Sequence, residues 1–134
     1  MDRKIGKLML REAAGFLLLA VLALGGLLTS RHMSRQYEAV SRLLEDSAWH
    51  ALSGQWQQAR DTAQAAREQW EQRWELGAAL SDHTPMEEID VLFAQLSVYS
   101  AANEPSDFSA ACRALSRHMQ AMGSAHQFRW WNVL

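Results

Sequence analysis

The chain has little of several residue types, and each shortage excludes a class of structure. Its one cysteine, Cys112, excludes an intramolecular disulfide framework and a multi-cysteine zinc site. Only two prolines interrupt 134 residues, and no segment alternates apolar and polar residues for long enough to form a strand. Lysine is missing from Arg31 onward, where nine arginines against thirteen acidic residues give a net charge of -4. This sign excludes a nucleic-acid-binding surface, which requires a basic stripe.

The first thirty residues have the pattern of a membrane anchor. A basic-leaning head, residues 1–12, precedes an uncharged segment, residues 13–30, in which seven leucines lie between Leu17 and Leu28. Roughly 17 to 25 apolar residues span a bilayer, and these leucines supply about -3 kcal/mol of insertion free energy. The segment lacks an Ala-x-Ala-like cleavage site, which favours an uncleaved anchor over a signal peptide. The tighter cluster of Lys and Arg before the span predicts a cytoplasmic N-terminus and an extracytoplasmic helical domain.

The rest of the chain predicts an all-α fold, with a helical domain at 31–123 and an aromatic tail at 124–134. Apolar residues recur at steps of three and four in four segments, beginning near Ser34, Gln55, Thr84 and Ser106. Short breaks between them favour a small antiparallel four-helix bundle or two helical hairpins. The inward stripes are Tyr37, Val40, Leu44, Ala48 and Ala51; Trp56, Ala59, Ala63, Ala66, Trp70 and Trp74; Met86, Ile89, Phe93, Leu96 and Ser100; and Phe108, Cys112, Leu115, Met119 and Met122.

Three residues are expected to mark helix ends. Gly54 should end the first segment, because glycine tolerates the left-handed conformation that follows a helix, and Gly123 should end the fourth. Ser106 should cap the start of the fourth segment. The stretch from Gly54 through Trp56 and Ala59 also resembles the hinge and second helix of a tetratricopeptide unit, although the length excludes an array of such repeats.

The order of these features resembles a known bacterial family. The order is a short N-terminal membrane helix, a Trp-x-x-Ala helix, a tryptophan, a histidine, Glu-Ile-Asp, a leucine-rich helix ending near a tyrosine, and Asn followed by two hydrophobic residues. The matching residues are Trp56, Ala59, Trp70, Trp74, His83, Glu88, Ile89, Asp90, Leu92, Leu96, Tyr99, Asn132, Val133 and Leu134. Together they resemble the membrane-anchored family called domain of unknown function 4363. The resemblance implies a single-pass protein with a helical domain outside the cytoplasm, and it implies no activity.

An acid-and-histidine turn is the first candidate for a functional cluster. Asp82, His83, Glu87, Glu88 and Asp90 crowd the start of the third segment, where acids interact favourably with a helix N-terminus. We favour this structural interpretation, with a hydrogen bond from His83 to Asp90 or Glu88 as a further possibility. A loosely held divalent ion is the alternative. The sequence predicts no catalytic, cofactor or metal residues, since no oxyanion signature accompanies the histidine.

The six tryptophans form the second candidate. A stripe of aromatics at helical spacing is typical of a core, whereas Trp49 falls off its stripe. Trp130 and Trp131 lie in the tail, which we expect either to dock on the helices or to meet a partner or membrane surface. Cys112 lies on an apolar stripe and should be buried and inert. The candidate interaction cluster is Trp56, Trp70, Trp74, His83, Glu88, Asp90, Tyr99, Trp130 and Trp131.

The function expected from these features is a membrane-tethered, non-enzymatic helical scaffold that binds another protein. The alternative is an extracytoplasmic sensor that binds a ligand or ion at the acid-and-histidine turn. A homodimer joined through Gly25, Gly26 and the aromatic tail is a third hypothesis.

Overall fold

The structure of the protein, a computed structural model, consists of α-helices joined by short turns in the residues that it describes. These residues are 2–77 and 84–131, and the structure describes their side chains except at 2–5, 8, 73–77, 84–86 and 126–131. The helices are α1, Asp2–Leu52; α2, Trp56–Gly77; α3, Thr84–Ala101; and α4, Pro105–Trp131. The described ranges contain no strand, which confirms the all-α prediction. The chain divides into two compact units, Met1–Met33 and Ser34–Leu134.

The N-terminal unit is an apolar stretch of α1 whose side chains are exposed. Leucines from Leu17 to Leu28 are each about half exposed or more. Within the described part of the chain, α1 alone is long and apolar enough to cross a membrane, as judged by length and composition. The hydroxyl of Thr29 donates a hydrogen bond to the carbonyl of Gly25 at 2.9 Å, so this polar group is satisfied inside the helix.

Two turns of the same geometry connect α1 to α2 and α3 to α4. In the first, Gly54 has φ of +77°, and the amide of Gln55 donates to the carbonyl of His50 at 2.9 Å. In the second, Asn103 has φ of +54°, and the amide of Glu104 donates to the carbonyl of Tyr99 at 3.3 Å. Both are Schellman-type helix ends, in which a left-handed residue reverses the chain. The prediction that Gly54 ends the first helix is confirmed.

The C-terminal unit has one core, built from the four predicted stripes. Every predicted stripe residue whose side chain is described is buried or partly buried, and Trp49 is 60% exposed, as its position off the stripe predicts. Small residues allow α1 and α2 to approach closely. The hydroxyl of Ser47 on α1 reaches the backbone of α2 and donates to the carbonyl of Ala59 at 2.6 Å. The buried apolar residues are Tyr37, Val40, Leu44, Ala48, Ala51, Ala59, Ala63, Ala66, Trp70, Ile89, Phe93, Leu96, Phe108, Cys112, Leu115 and Met119.

Buried hydroxyls connect α1 to α4. Ser41 and Ser116 share a hydrogen bond of 2.8 Å, and the side-chain amide of Gln120 donates to Ser41 at 3.0 Å. Leaving a buried polar group without a partner costs about 1–3 kcal/mol. A shift of α4 along α1 would separate these hydroxyls, so the contact favours one register between the two helices.

Two predicted helix ends are wrong. Helix α4 continues through Gly123 to Trp131. Gly123 lies close to α1 at this point, since a Cβ added to it would be 3.4 Å from Cβ of Tyr37. Residues 124–131 of the predicted tail are therefore helical. Helix α4 also begins at Pro105, and the amide of Phe108 donates to the carbonyl of Glu104 at 2.9 Å. Ser106 lies inside the first turn and is not its cap, since proline is well suited to the first helical position.

Candidate interaction surface on α2 and α3

Two of the predicted tryptophans hold α2 in place, one at its start and the other about two-thirds of the way along it. Trp56 and Trp70 are fourteen residues apart, which corresponds to about 21 Å along a helix. The indole N–H of Trp56 donates to Oδ1 of Asn103 at 2.8 Å, and its ring meets Phe108 edge-on with centroids 5.0 Å apart. Trp56 thus links α2 to the turn between α3 and α4. Its role is to hold the two turns together.

Asp90, from the acid-and-histidine turn, makes a described contact with the second of these tryptophans. The indole N–H of the buried Trp70 donates to Oδ1 of Asp90 at 3.1 Å, so Asp90 satisfies a buried donor. Glu88 is exposed on the surface of α3. His83 and Asp82 lie outside the described residues, so the hydrogen bond proposed for His83 and the ion-binding alternative stay predictions.

The remaining members of the predicted cluster are dispersed. Tyr99 is partly buried against the core, and its carbonyl accepts a bond in the second turn. Trp74 lies in α2, while Trp130 and Trp131 lie at the end of α4, and their side chains are outside the description. Whether the last two dock on the domain stays a prediction. The structure therefore joins Trp70 with Asp90, and it places Trp56 in a separate cluster with Asn103.

A groove between α2 and α3 is a concave feature that the sequence did not reveal. Its volume is about 230 Å³, and its lining carries two guanidinium groups and no carboxylate. The lining residues are Arg60, Ala63, Gln64, Arg67, Phe93, Leu96, Ser97, Ser100, Ala101 and Phe108. The apolar side chains of Phe93, Leu96 and Phe108 lie at the bottom of the lining, where each is at most 3% exposed. The groove thus combines an apolar floor with a positively charged and hydroxyl-bearing rim.

The two arginines of the rim differ in their partners. Nε of Arg67 pairs with Glu71 at 2.8 Å, and its Nη1 donates to the hydroxyl of Ser97 at 3.3 Å. Arg60 is exposed and makes no hydrogen bond or ion pair with the residues described. Sequence reasoning missed both arginines because a charged residue on an amphipathic helix ordinarily belongs to its solvated face.

The outer side of α3 is apolar and exposed. Val91 and Val98 are 66% and 64% exposed and lie two helical turns apart, with the exposed Ala94 and Gln95 between them. We call these four residues the α3 outer stripe. No charged residue occurs from 91 to 101, so the second half of α3 lacks charge on every face. Valine is also a poorer helix former than the residues usually found at exposed helical positions.

The environment of Cys112 does not favour nucleophilic chemistry. Its side chain is fully buried, as predicted, and this desolvation raises the pKa of the thiol to about 12. A weak hydrogen bond to Ser47 opposes the increase in pKa, and the charge of Glu45 adds to it. A thiol with this pKa remains protonated at neutral pH, whereas the thiolate is the reactive form.

These observations define a class of protein. It is a small all-helical domain preceded by a helix that is long and apolar enough to cross a membrane. The chain belongs to the family described as Domain of unknown function (DUF4363), whose model matches residues 27–133. This match confirms the resemblance found in the sequence. No curated protein and no solved structure matches the chain.

Proposed function

We propose that the protein is a membrane-tethered, non-enzymatic interaction domain. In this proposal the residues after the anchor form an antiparallel four-helix bundle of two hairpins, with a tetratricopeptide-like hinge at Gly54, and bind another protein. The antiparallel arrangement is supported by contacts that run in opposite chain directions, such as Ser41 with Ser116 and Ser47 with Cys112. The two similar turns support the pairing into hairpins.

The observation that carries the proposal is the α3 outer stripe. Its valines are about two-thirds exposed on a helix whose second half carries no charge, and Val91 lines a shallow depression together with Leu92 and His118. Exposed apolar surface that adjoins a concave feature is characteristic of a protein-binding site. A helix lying beside α3 would cover the valines and would use the depression for its side chains.

Photo-crosslinking in the native membrane tests this proposal. A photoreactive amino acid is placed at Val98 in the full-length protein, and a matched control carries it at Gln58, an exposed polar position on α2. We expect one dominant protein to be captured from Val98 and not from Gln58. The same products from both positions, or no product from Val98, would contradict the proposal.

The proposed topology has a separate test based on cysteine accessibility. The native Cys112 is buried and protonated, so it should contribute little to labelling of the folded protein. In intact cells, a membrane-impermeant maleimide should label the variant Gln58→Cys and should reach Lys7→Cys only after permeabilisation. The reverse pattern would place the helical domain in the cytoplasm.

A further inference from the structure

The sign of the charge in the α2/α3 groove is opposite to that of the region around it. From Arg31 onward the chain has nine arginines and thirteen acidic residues, yet the groove lining includes Arg60 and Arg67 and no acid. An anionic group that approaches this surface therefore meets local attraction, while the remaining surface carries the excess of acids. Such complementarity contributes mainly to the choice of partner and its orientation.

The spacing of the two arginines determines the distance between the anionic groups that could pair with both of them. Arg60 and Arg67 are seven residues apart on the side of α2 that lines the groove, about 10.5 Å along the helix axis. Arg60 has no partner among the described residues, and the pair between Arg67 and Glu71 is partly exposed, with side-chain exposures of 41% and 56%. Exposed ion pairs of this kind contribute little to stability and are readily exchanged for a new partner.

The size and floor of the groove favour side chains over a whole small molecule. Its volume of about 230 Å³ is below the range of roughly 300–1,000 Å³ that is common for sites of drug-sized ligands. Phe93, Leu96 and Phe108 offer an apolar floor, while Ser97 and Ser100 offer hydroxyls beside it. One or two apolar side chains, flanked by carboxylates, would match both the floor and the rim.

We propose that the α2/α3 groove binds an amphipathic helix of another protein that carries carboxylates at positions i and i+7 and apolar side chains at i+3 and i+4. The carboxylates pair with Arg60 and Arg67, and the apolar side chains enter the groove between them. Helices dock in this way through anchors spaced by three, four and seven residues. This inference rests on the proposed role as an interaction domain, and it names the chemistry of the partner.

The first test uses a defined probe and the full-length protein in detergent. A fluorescent, helix-stabilised peptide with glutamates at i and i+7 and leucines between them is compared with the same peptide carrying glutamines. We expect the glutamate peptide to bind roughly tenfold more tightly by fluorescence anisotropy, since two partly exposed ion pairs distinguish the peptides. Arg60→Glu should remove this preference, and Arg113→Glu, at an exposed position on α4, should retain it.

Equal affinity for the two peptides, or a preference that survives Arg60→Glu, would overturn the inference. Because Arg60 is exposed, this variant should fold, and unchanged circular dichroism checks that it does. Arg60→Gln, which removes the charge without adding the opposite one, should lower the affinity for the glutamate peptide and leave the affinity for the glutamine peptide unchanged.

A second test identifies the occupant in the native membrane. A photoreactive group at Ala101, on the groove lining, should link to a protein segment with the acidic i, i+7 pattern, and Arg60→Glu should abolish that product. A product with a second copy of this chain, with lipid or with a segment lacking the acids would overturn the inference. Capture from Val98 combined with equal peptide affinities would remove the groove proposal and leave the interaction domain. A clear peptide preference without capture from Val98 would keep the groove proposal and reject the α3 outer stripe as the contact surface.

Discussion

Substituting alanine for Gly123 should stabilise the protein, although the sequence pattern suggests the contrary. Helix α4 passes through this residue, and Gly54 is the only described glycine with positive φ. Glycine inside a helix costs about 0.5–1 kcal/mol relative to alanine, because it loses more backbone entropy on folding. The added Cβ would lie 3.4 Å from Cβ of Tyr37, at the short end of ordinary van der Waals contact. We therefore expect the free energy of unfolding to increase by about 0.5–1 kcal/mol.

Gly54→Ala is the matched control because it makes the same chemical change at a glycine that ends a helix. No atom lies within 4 Å of a Cβ added at Gly54, so the effect is confined to the backbone with φ of +77°. A non-glycine residue in the left-handed region costs about 1–2 kcal/mol. Gly54→Ala should therefore lower the free energy of unfolding by about 1 kcal/mol, the opposite sign from Gly123→Ala.

Tryptophan fluorescence during urea unfolding in mild detergent measures both variants. All six tryptophans lie after residue 48, so the signal reports on the C-terminal unit and not on the apolar N-terminal part of α1. The melting temperature should rise by roughly 2–8 °C for Gly123→Ala, given the size of the unit. Destabilisation by Gly123→Ala similar to that by Gly54→Ala would refute the reasoning that the helix is continuous at Gly123 and has room there for a Cβ.

Three further predictions concern a thiol, a hydrogen bond and the anchor. Because burial raises the pKa of Cys112 from 9.0 to about 12, the folded thiol stays protonated while the unfolded one ionises above pH 9. The free energy of unfolding should therefore fall with increasing pH in that window, by about 1.4 kcal/mol per pH unit, and urea titrations of Cys112→Ala should lack this component of the slope. Trp56→Phe retains an aromatic ring against Phe108 but loses the donor to Asn103, so unfolding should become easier by about 1 kcal/mol, as measured by the urea midpoint. An unchanged midpoint would show that the bond between the two turns contributes nothing. Leu22→Arg places a charge within the apolar part of α1 and should cost about 3 kcal/mol of insertion free energy. Carbonate extraction should then release more of this variant than of Leu22→Ile, and equal retention would argue against a membrane span.

The sequence predicted only part of the candidate site. The tryptophan stripe correctly indicated that Trp56 and Trp70 pack inward, because an aromatic at helical spacing faces the core in most folds. Their hydrogen-bond partners, Asn103 and Asp90, lie 47 and 20 residues away along the chain, so no local pattern could identify them. The groove was not apparent for the same reason, since Arg67 on α2 and Ser97 on α3 become neighbours only when the helices pack.

The sequence by itself determined which segments are helical, which face of each is buried and to which family the chain belongs. Periodicity encodes a buried face directly, because side chains three and four residues apart lie on the same side of a helix. Only the tertiary structure decided that Gly123 lies within a helix and that two arginines border an apolar groove. A glycine is compatible both with a helix end and with a close helix contact, and the choice depends on Tyr37, a residue 86 positions away that the local sequence cannot place.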